Sequence, residues 1–173
     1  MTGMINDPNA ARLIYGLRDT GYNVRTAAAD IIDNSIAADA NTINITIELL
    51  HDGRKLVHFG DDGHGMDEAE VRNAMRYGAD RRPDAKSLGK FGLGLKTASS
   101  SVCKRYSVLS RKAEDTPIAR LTWDLDHVER INAWEMLSEP ISRTQQEIFD
   151  ELCGPSGTLV IWVRSFSILA LSP

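Results

Sequence analysis

Apolar residues recur at helical spacing from Ala10 to Leu17 and again from Thr26 to Ala38, where Ala27, Ile31, Ile32 and Ile36 form one stripe. Gly21 and Tyr22 precede the second helix, and Thr26 is its predicted N-cap. Between Asn41 and Leu50 the period changes to two. Ile43, Ile45, Ile47 and Leu49 alternate with polar residues, which predicts a half-buried strand. His51-Asp52-Gly53 reads as a turn and Lys55 to Gly60 as the returning strand of a hairpin. Asp67 predicts the cap of a helix reaching to about Tyr77, with Glu68 and Glu70 in its first turn. Gly78 to Gly94 is glycine-rich, charged and long for a bare connection, the mark of a binding loop or lid. Beyond it the pattern predicts a helix over Leu95 to Val102 and strands over Tyr106 to Ser110 and Ile118 to Trp123. A helix over Arg143 to Leu152, stopped by Gly154-Pro155, and a strand over Gly157 to Val163 follow. Hairpins interleaved with helices predict an α+β sandwich rather than a doubly wound sheet.

Composition narrows the classes without naming one. The 173 residues, 42% apolar and 25% charged, are enough for one domain with its own core. No run of eighteen apolar residues occurs, so no membrane partner is expected, and Met1 to Ala10 lacks the pattern of a signal peptide. Cys103 and Cys153 form no CxxC pair, which argues against a zinc site or disulfide framework and makes a reducing, cytoplasmic location the expectation. The net charge of −4 hides an asymmetry. From Asp30 to Glu70, ten acids face only Arg54 and Lys55; from Arg81 to Lys112, nine bases face only Asp84. Two solvated faces would account for that. So would a ligand carrying a metal cation and several phosphates.

Three constellations carry candidate chemistry. In Asp30-Ile-Ile-Asp33-Asn34 the i, i+3 and i+4 spacing puts Asp30, Asp33 and Asn34 on one helix face. Such oxygens suit a hydrated hard cation like Mg2+, though a wet amphipathic face reads the same way. In Asp61-Asp62-Gly63-His64-Gly65-Met66, alternate glycines allow tight turns, and a carboxylate at a strand end can accept from an amino group such as that of adenine. The glycines and the later Glu spacing exclude an EF-hand. In Gly89-Lys90-Phe91-Gly92-Leu93-Gly94-Leu95-Lys96-Thr97, glycines open a helix whose N–H groups and dipole attract anions. It is not a Walker A loop. Leu95 separates Gly94 from Lys96, and one inserted residue turns a helical side chain by roughly 100°. Nor does it carry the glycine spacing of the dinucleotide fingerprint.

Together and in this order, these motifs resemble the ATP-binding domain of the GHKL superfamily of gyrase B, the ninety-kilodalton heat-shock chaperone, histidine kinases, MutL and MORC proteins. DIIDNS resembles its N-box, DDGHGM its adenine-binding box and SLGKFGLGLKTAS its glycine-rich lid box. Gly157-Thr158-Leu-Val-Ile-Trp162 resembles its last element. The lid wording is closer to MORC, MutL and chaperone-type members than to histidine kinases. The resemblance implies a Bergerat-type two-layer α+β sandwich, a mixed, mainly antiparallel sheet with helices on one face, and ATP with Mg2+ as cofactors. Carried over, Asn34 would ligate Mg2+ and Asp61 would bind the adenine amino group, helped by Thr158 through water. Gly63 and Gly65 would let the nucleotide approach, with Met66 near the base. The N–H groups around Phe91, Gly92, Leu93 and Gly94 would hold the phosphates, and Lys90 or Lys96 would add charge. Asp30 would take the place of the family's catalytic Glu.

Two positions depart from the family pattern. Asp30 is one methylene shorter than Glu, which predicts slow hydrolysis, and Ala37 stands where the related pattern carries Asp. The implied organisation is an ATP-binding domain over residues 1–164, with 1–12 as a dimerisation arm and 78–94 as the ATP lid. Residues 165–173 read as an irregular tail before a missing second domain. The expected partners are ATP, a second copy in an ATP-dependent homodimer, and an effector gated by ATP. Three other outputs compete: a nucleotide sensor that never hydrolyses, a kinase of the anti-sigma or histidine type, and the ATPase module of a DNA-processing or defence system. In the last, Lys104, Arg105, Arg111 and Lys112 would touch DNA.

Overall fold

The computed structural model describes residues 8–19, 21–78 and 94–164. The chain runs through α1 (Ala10–Arg18), α2 (Val24–Ala37), β1 (Ile43–Leu49), β2 (Lys55–Asp61) and α3 (Glu68–Met75). After the lid region come α4 (Gly94–Val102), β3 (Arg105–Arg111), β4 (Ala119–Asp124), α5 (Leu125–Ile131), α6 (Arg143–Cys153) and β5 (Gly157–Arg164). Among the described residues the strands form one sheet in the order β1-β2-β5-β3-β4, with every neighbouring pair antiparallel. The α+β sandwich stands.

The start of α2 differs from the sequence reading. Asn23, not Thr26, is the N-cap: its side chain accepts from the N–H groups of Arg25 (2.9 Å) and Thr26 (3.1 Å). Thr26 Oγ1 accepts in return from the Asn23 N–H at 3.0 Å, closing a capping box. Asp67 does cap α3, with Glu70 answering it. The short α5 has no apolar period of its own to announce it. It forms because the Asp124 side chain accepts from the His127 N–H and because Leu125 and Val128 are buried.

The main core lies between the sheet and α1 to α5, and includes Ile14, Ile31, Phe59, Val108, Trp123 and Trp162. Burying side chains of this size contributes about 1.5–3 kcal/mol each. Both indole N–H groups find acceptors inside it: Trp162 donates to Ser99 Oγ and Trp123 to the Met75 carbonyl, each at 2.9 Å. The other face of the sheet carries a smaller cluster, in which Phe149 and Leu152 of α6 meet Leu109, Leu159 and Ile161. One helix thus stands on the face opposite the main helical layer.

β1 corrects a second expectation. Ile45, Ile47 and Leu49 are 49%, 69% and 68% exposed, so the alternation does not mark a half-buried strand. Their register partners Phe59 and Val57 on β2 face the main core. β1, however, is the edge strand, and α2 packs on β2 rather than over it. Period two therefore reported strand geometry correctly and burial incorrectly.

Candidate functional site

α2 carries three polar side chains of the motif, Asp30 and Asn34 one turn apart on one side and Ser35 turned inward. Asn34 Nδ2 donates to the Asp30 carbonyl one turn back at 2.7 Å, which leaves its Oδ1 turned away from that bond. Ser35, the next residue, is buried and its Oγ donates to Asp61 Oδ2 at 2.8 Å. Asp30 Oδ2 accepts from the Tyr22 hydroxyl at 2.7 Å. From Asp30 to Ser35 the helix rises about 7.5 Å.

The N-terminus of α4 meets this helix at Asp30. A Cβ built on Gly94 would lie 3.6 Å from Asp30 Oδ2, so the carboxylate abuts the first residue of α4. α2 and α4 pack along one another, and the positions that α4 buries are small apart from Lys96: Thr97, Ala98, Ser99 and Ser100. Lys96 is 1% exposed, and its Nζ donates to the Ala74 carbonyl in the last turn of α3 at 2.7 Å. That bond accounts for one of the three N–H groups of the ammonium.

Asp61 ends β2 on the core-facing side and is 5% exposed. Burial pushes its carboxyl above the ordinary range, while bonds from Ser35, the Gly63 N–H and the Thr158 N–H pull the other way. Register places Asp61 opposite Thr158 of β5, and Thr158 opposite Ser110 of β3. Three polar residues thus form a row across adjacent strands. Ser110 Oγ accepts from the Met66 N–H and donates to the Gly157 carbonyl, both at 2.8 Å, and lies 2.9 Å from Thr158 Oγ1. Met66 is half-buried against the main core.

The glycines of this region have a reason of their own. Gly65 has φ +63°, and a Cβ there would lie 1.9 Å from the Arg111 carbonyl oxygen; at Gly63 it would lie 2.7 Å from the Ala38 carbonyl oxygen. Both are needed for close approach of protein backbone, whatever a ligand adds.

Several expected residues lie outside the described ones: Lys90, Phe91, Gly92 and Leu93, and most of the lid 78–94 and of the arm 1–12. Of the arm, Ala10 to Arg12 belong to α1, and Ala10 is buried. Sequence reasoning gave no role to Ser35, Ser110 or Tyr22. Ser35 was within reach as the neighbour of Asn34 in the motif, whereas Ser110 and Tyr22 are brought in by sheet register and by the turn before α2.

The basic stretch expected to touch DNA is paired locally. Lys104 bonds Asp126, Arg105 bonds Asp124 and Glu139, Arg111 bonds Asp150, and Lys112 bonds Asp67 and Glu70.

Residues 22–156 match the family described as histidine kinase-, DNA gyrase B-, and HSP90-like ATPases. The human protein named ATPase MORC2 is 31% identical over 169 residues, covering 78% of this chain and 16% of the relative. The DNA mismatch repair protein MutL of Ehrlichia chaffeensis is 32% identical over 132 residues, 72% of this chain and 17% of that protein. ATPase MORC2A of Mus musculus is 37% identical over 94 residues, 52% of this chain and 9% of the relative. The chain thus spans less than a fifth of the length of these curated relatives. The match runs from Tyr22 through Ser156 and takes in the α2 residues, Asp61 and the start of α4, and on it the chain belongs to the histidine kinase-, gyrase B- and HSP90-like ATPases.

Proposed function

We propose that this chain binds ATP with Mg2+ and hydrolyses it slowly to ADP and phosphate, the bound state being read out by dimerisation or by a partner activity. One observation carries the reading: Asp30 and Asn34 stand one turn apart on α2 with the N-terminus of α4 near Asp30, and Ser35 of the same helix bonds Asp61. That order fits a nucleotide lying along the helix, base at Asp61 and terminal phosphate at Asp30.

Each residue then has one task. Asp61 accepts from the adenine amino group through a lone pair that Ser35 and Gly63 leave unused, and Thr158, bonded to Ser110, holds a bridging water. Met66 packs near the base. The N-terminal N–H groups of α4 and its dipole attract phosphate. Phosphate contacts from Lys90, Phe91, Gly92 and Leu93 rest on the resemblance alone. Asn34 suits a Mg2+ ligand because its amide N–H is committed to the Asp30 carbonyl, which presents Oδ1 as an oxygen donor. Among the described residues no group of three His, Cys, Asp or Glu could hold a metal. One protein oxygen, completed by phosphate and water, is the arrangement that Mg2+ commonly accepts. When bound, the cation offsets phosphate charge as the terminal phosphoryl group departs. Asp30 orients the attacking water and takes its proton.

The output is proposed to be an interaction, with a second copy of this chain or with a partner protein, that follows the bound state of the site. Single-turnover hydrolysis of labelled ATP, with Mg2+ and protein in excess, tests the reading. ADP should form in the wild-type chain and fall by roughly 100-fold in Asp30→Asn, the scale of loss expected when a catalytic group is displaced. Equal turnover in the two proteins would remove Asp30 from the mechanism. Tight binding without ADP formation would make the domain a nucleotide sensor.

A further inference from the structure

The carboxylate of Asp30 has a partner that the family resemblance does not supply. Tyr22 lies just before the N-cap of α2, and its ring packs against the main core. From there its hydroxyl reaches over two turns of helix and donates to Asp30 Oδ2 at 2.7 Å. We propose that Tyr22 is a positioning residue for hydrolysis, holding the short Asp30 side chain so that its second oxygen, Oδ1, faces the attacking water.

The inference rests on the ATP-hydrolysis reading above and deepens it. Asp30 sits on a half-exposed part of α2, and an aspartate there is free to turn about χ1 and χ2. One hydrogen bond reduces that freedom: the Tyr22 hydroxyl binds Oδ2 from the N-terminal side, while the absence of a side chain at Gly94 leaves room beside the same oxygen. With Oδ2 occupied, Oδ1 remains to accept from water. A glutamate would gain reach from its extra methylene; here a phenol anchored in the core fixes the direction of a shorter arm. Donation to Asp30, burial and the carboxylate charge all raise the Tyr22 pKa, so the phenol stays protonated and remains a donor across the neutral range.

The step balances without a further reactant. A lone pair on water forms the new bond to the γ-phosphorus, and Asp30 Oδ1 receives the proton. The bond from that phosphorus to the β,γ-bridging oxygen breaks, and its electron pair leaves with ADP. Phosphate departs, and the proton on Asp30 passes to solvent.

The test uses the full chain in four forms: wild type, Tyr22→Phe, Asp30→Asn and the double variant. Each is measured for single-turnover hydrolysis and for equilibrium binding of a labelled nonhydrolysable ATP analogue with Mg2+. Tyr22→Phe keeps the ring in the core and removes only the hydroxyl. It should bind the analogue within about twofold of wild type and hydrolyse ATP roughly 10- to 100-fold more slowly, the cost of misaligning a reacting group. In the Asp30→Asn background the same substitution should add little, because the two residues act as one unit. Unchanged hydrolysis in Tyr22→Phe, with Asp30→Asn impaired, would overturn the role of Tyr22 and leave the ATPase reading standing. An equal, multiplicative loss in both backgrounds would also overturn it, since that marks a general structural effect. If the wild-type chain gives no ADP, or if Asp30→Asn hydrolyses at the wild-type rate, the underlying reading fails and the role of Tyr22 falls with it.

Discussion

Asp61 illustrates what a single side chain can and cannot disclose. Its place at the end of a strand and before Gly63 and Gly65 makes it a candidate acceptor, its motif resemblance implies the adenine amino group, and the structure puts its carboxylate where burial opposes ionisation while three donors favour it. Charge-assisted hydrogen bonds of that kind contribute about 1.5–3 kcal/mol. Asp61→Asn should therefore weaken ATP binding by roughly 10- to 100-fold and narrow its advantage over GTP, as read by competition of unlabelled nucleotides against a labelled analogue. Ser35 and Ser110 belong to the same network; the motif brings Ser35 within reach but not its bond to Asp61, and nothing local points to Ser110. One bonds Asp61 from another element and the other joins it only through strand register. Lys96 shows the converse. Beside a glycine-rich loop the resemblance gives it charge for phosphate, and only the fold shows that it is buried with its Nζ bonded to the Ala74 carbonyl.

Among the elements, the loop 61–66 and strand β1 lead to opposite expectations. Gly65 combines φ +63° with a Cβ position 1.9 Å from the Arg111 carbonyl oxygen, so any side chain must move backbone. Gly65→Ala should lower the unfolding free energy by at least about 2 kcal/mol in urea titrations. Ile47, which the alternating pattern assigns to the interior, is 69% exposed on the edge strand. Ile47→Thr keeps the β-branch and should change stability by no more than about 0.5 kcal/mol. A loss typical of a core position, above about 1.5 kcal/mol, would show that β1 is covered in solution. Apart from α5, element type and order were legible because period and caps are local. The N-cap of α2 moved from Thr26 to Asn23 because sequence identifies capping residues more readily than it assigns which end of the box each occupies.

Over the whole molecule, the described bases of the basic stretch have local partners, and Lys112 joins it to Asp67 and Glu70 of the acidic one. The bases of β3 and its flanks are paired to carboxylates from β4, α3, α5, α6 and the loop at Glu139. Most of these pairs are part-exposed and contribute little to stability. Acid sensitivity has a more definite source in His58, buried on β2 with Nδ1 3.1 Å from Thr46 Oγ1. Burial lowers its pKa below the ordinary 6.5, against a smaller opposing effect of Glu48. The unfolded chain therefore takes up a proton before the folded one does. The stability it contributes is complete above about pH 6.5 and is lost as pH falls toward the folded value, by at most about 1.4 kcal/mol per pH unit. Urea unfolding at about pH 7.5 and about pH 5.5 should show this loss in the wild type and a smaller one in His58→Gln. Asp61, raised by burial, acts in the opposite sense and is common to both proteins, so it cancels in the comparison.

The sequence by itself determined the α+β class and the order of most elements, because hydrophobic period, caps and glycine spacing act within a few residues along the chain; it offered Asp30, Asn34, Asp61 and Thr158 as site candidates only through the resemblance of their motifs to a family. Only the tertiary structure decided that Tyr22 bonds Asp30, that Ser35 bonds Asp61, that Ser110 stands beside Thr158 and that the isoleucines of β1 lie on an open edge. Those relations join the turn before α2 to that helix, α2 to the end of β2, and β3 to β5. They depend on how the helical layer sits on the sheet, and a local pattern carries no record of which layer ends where.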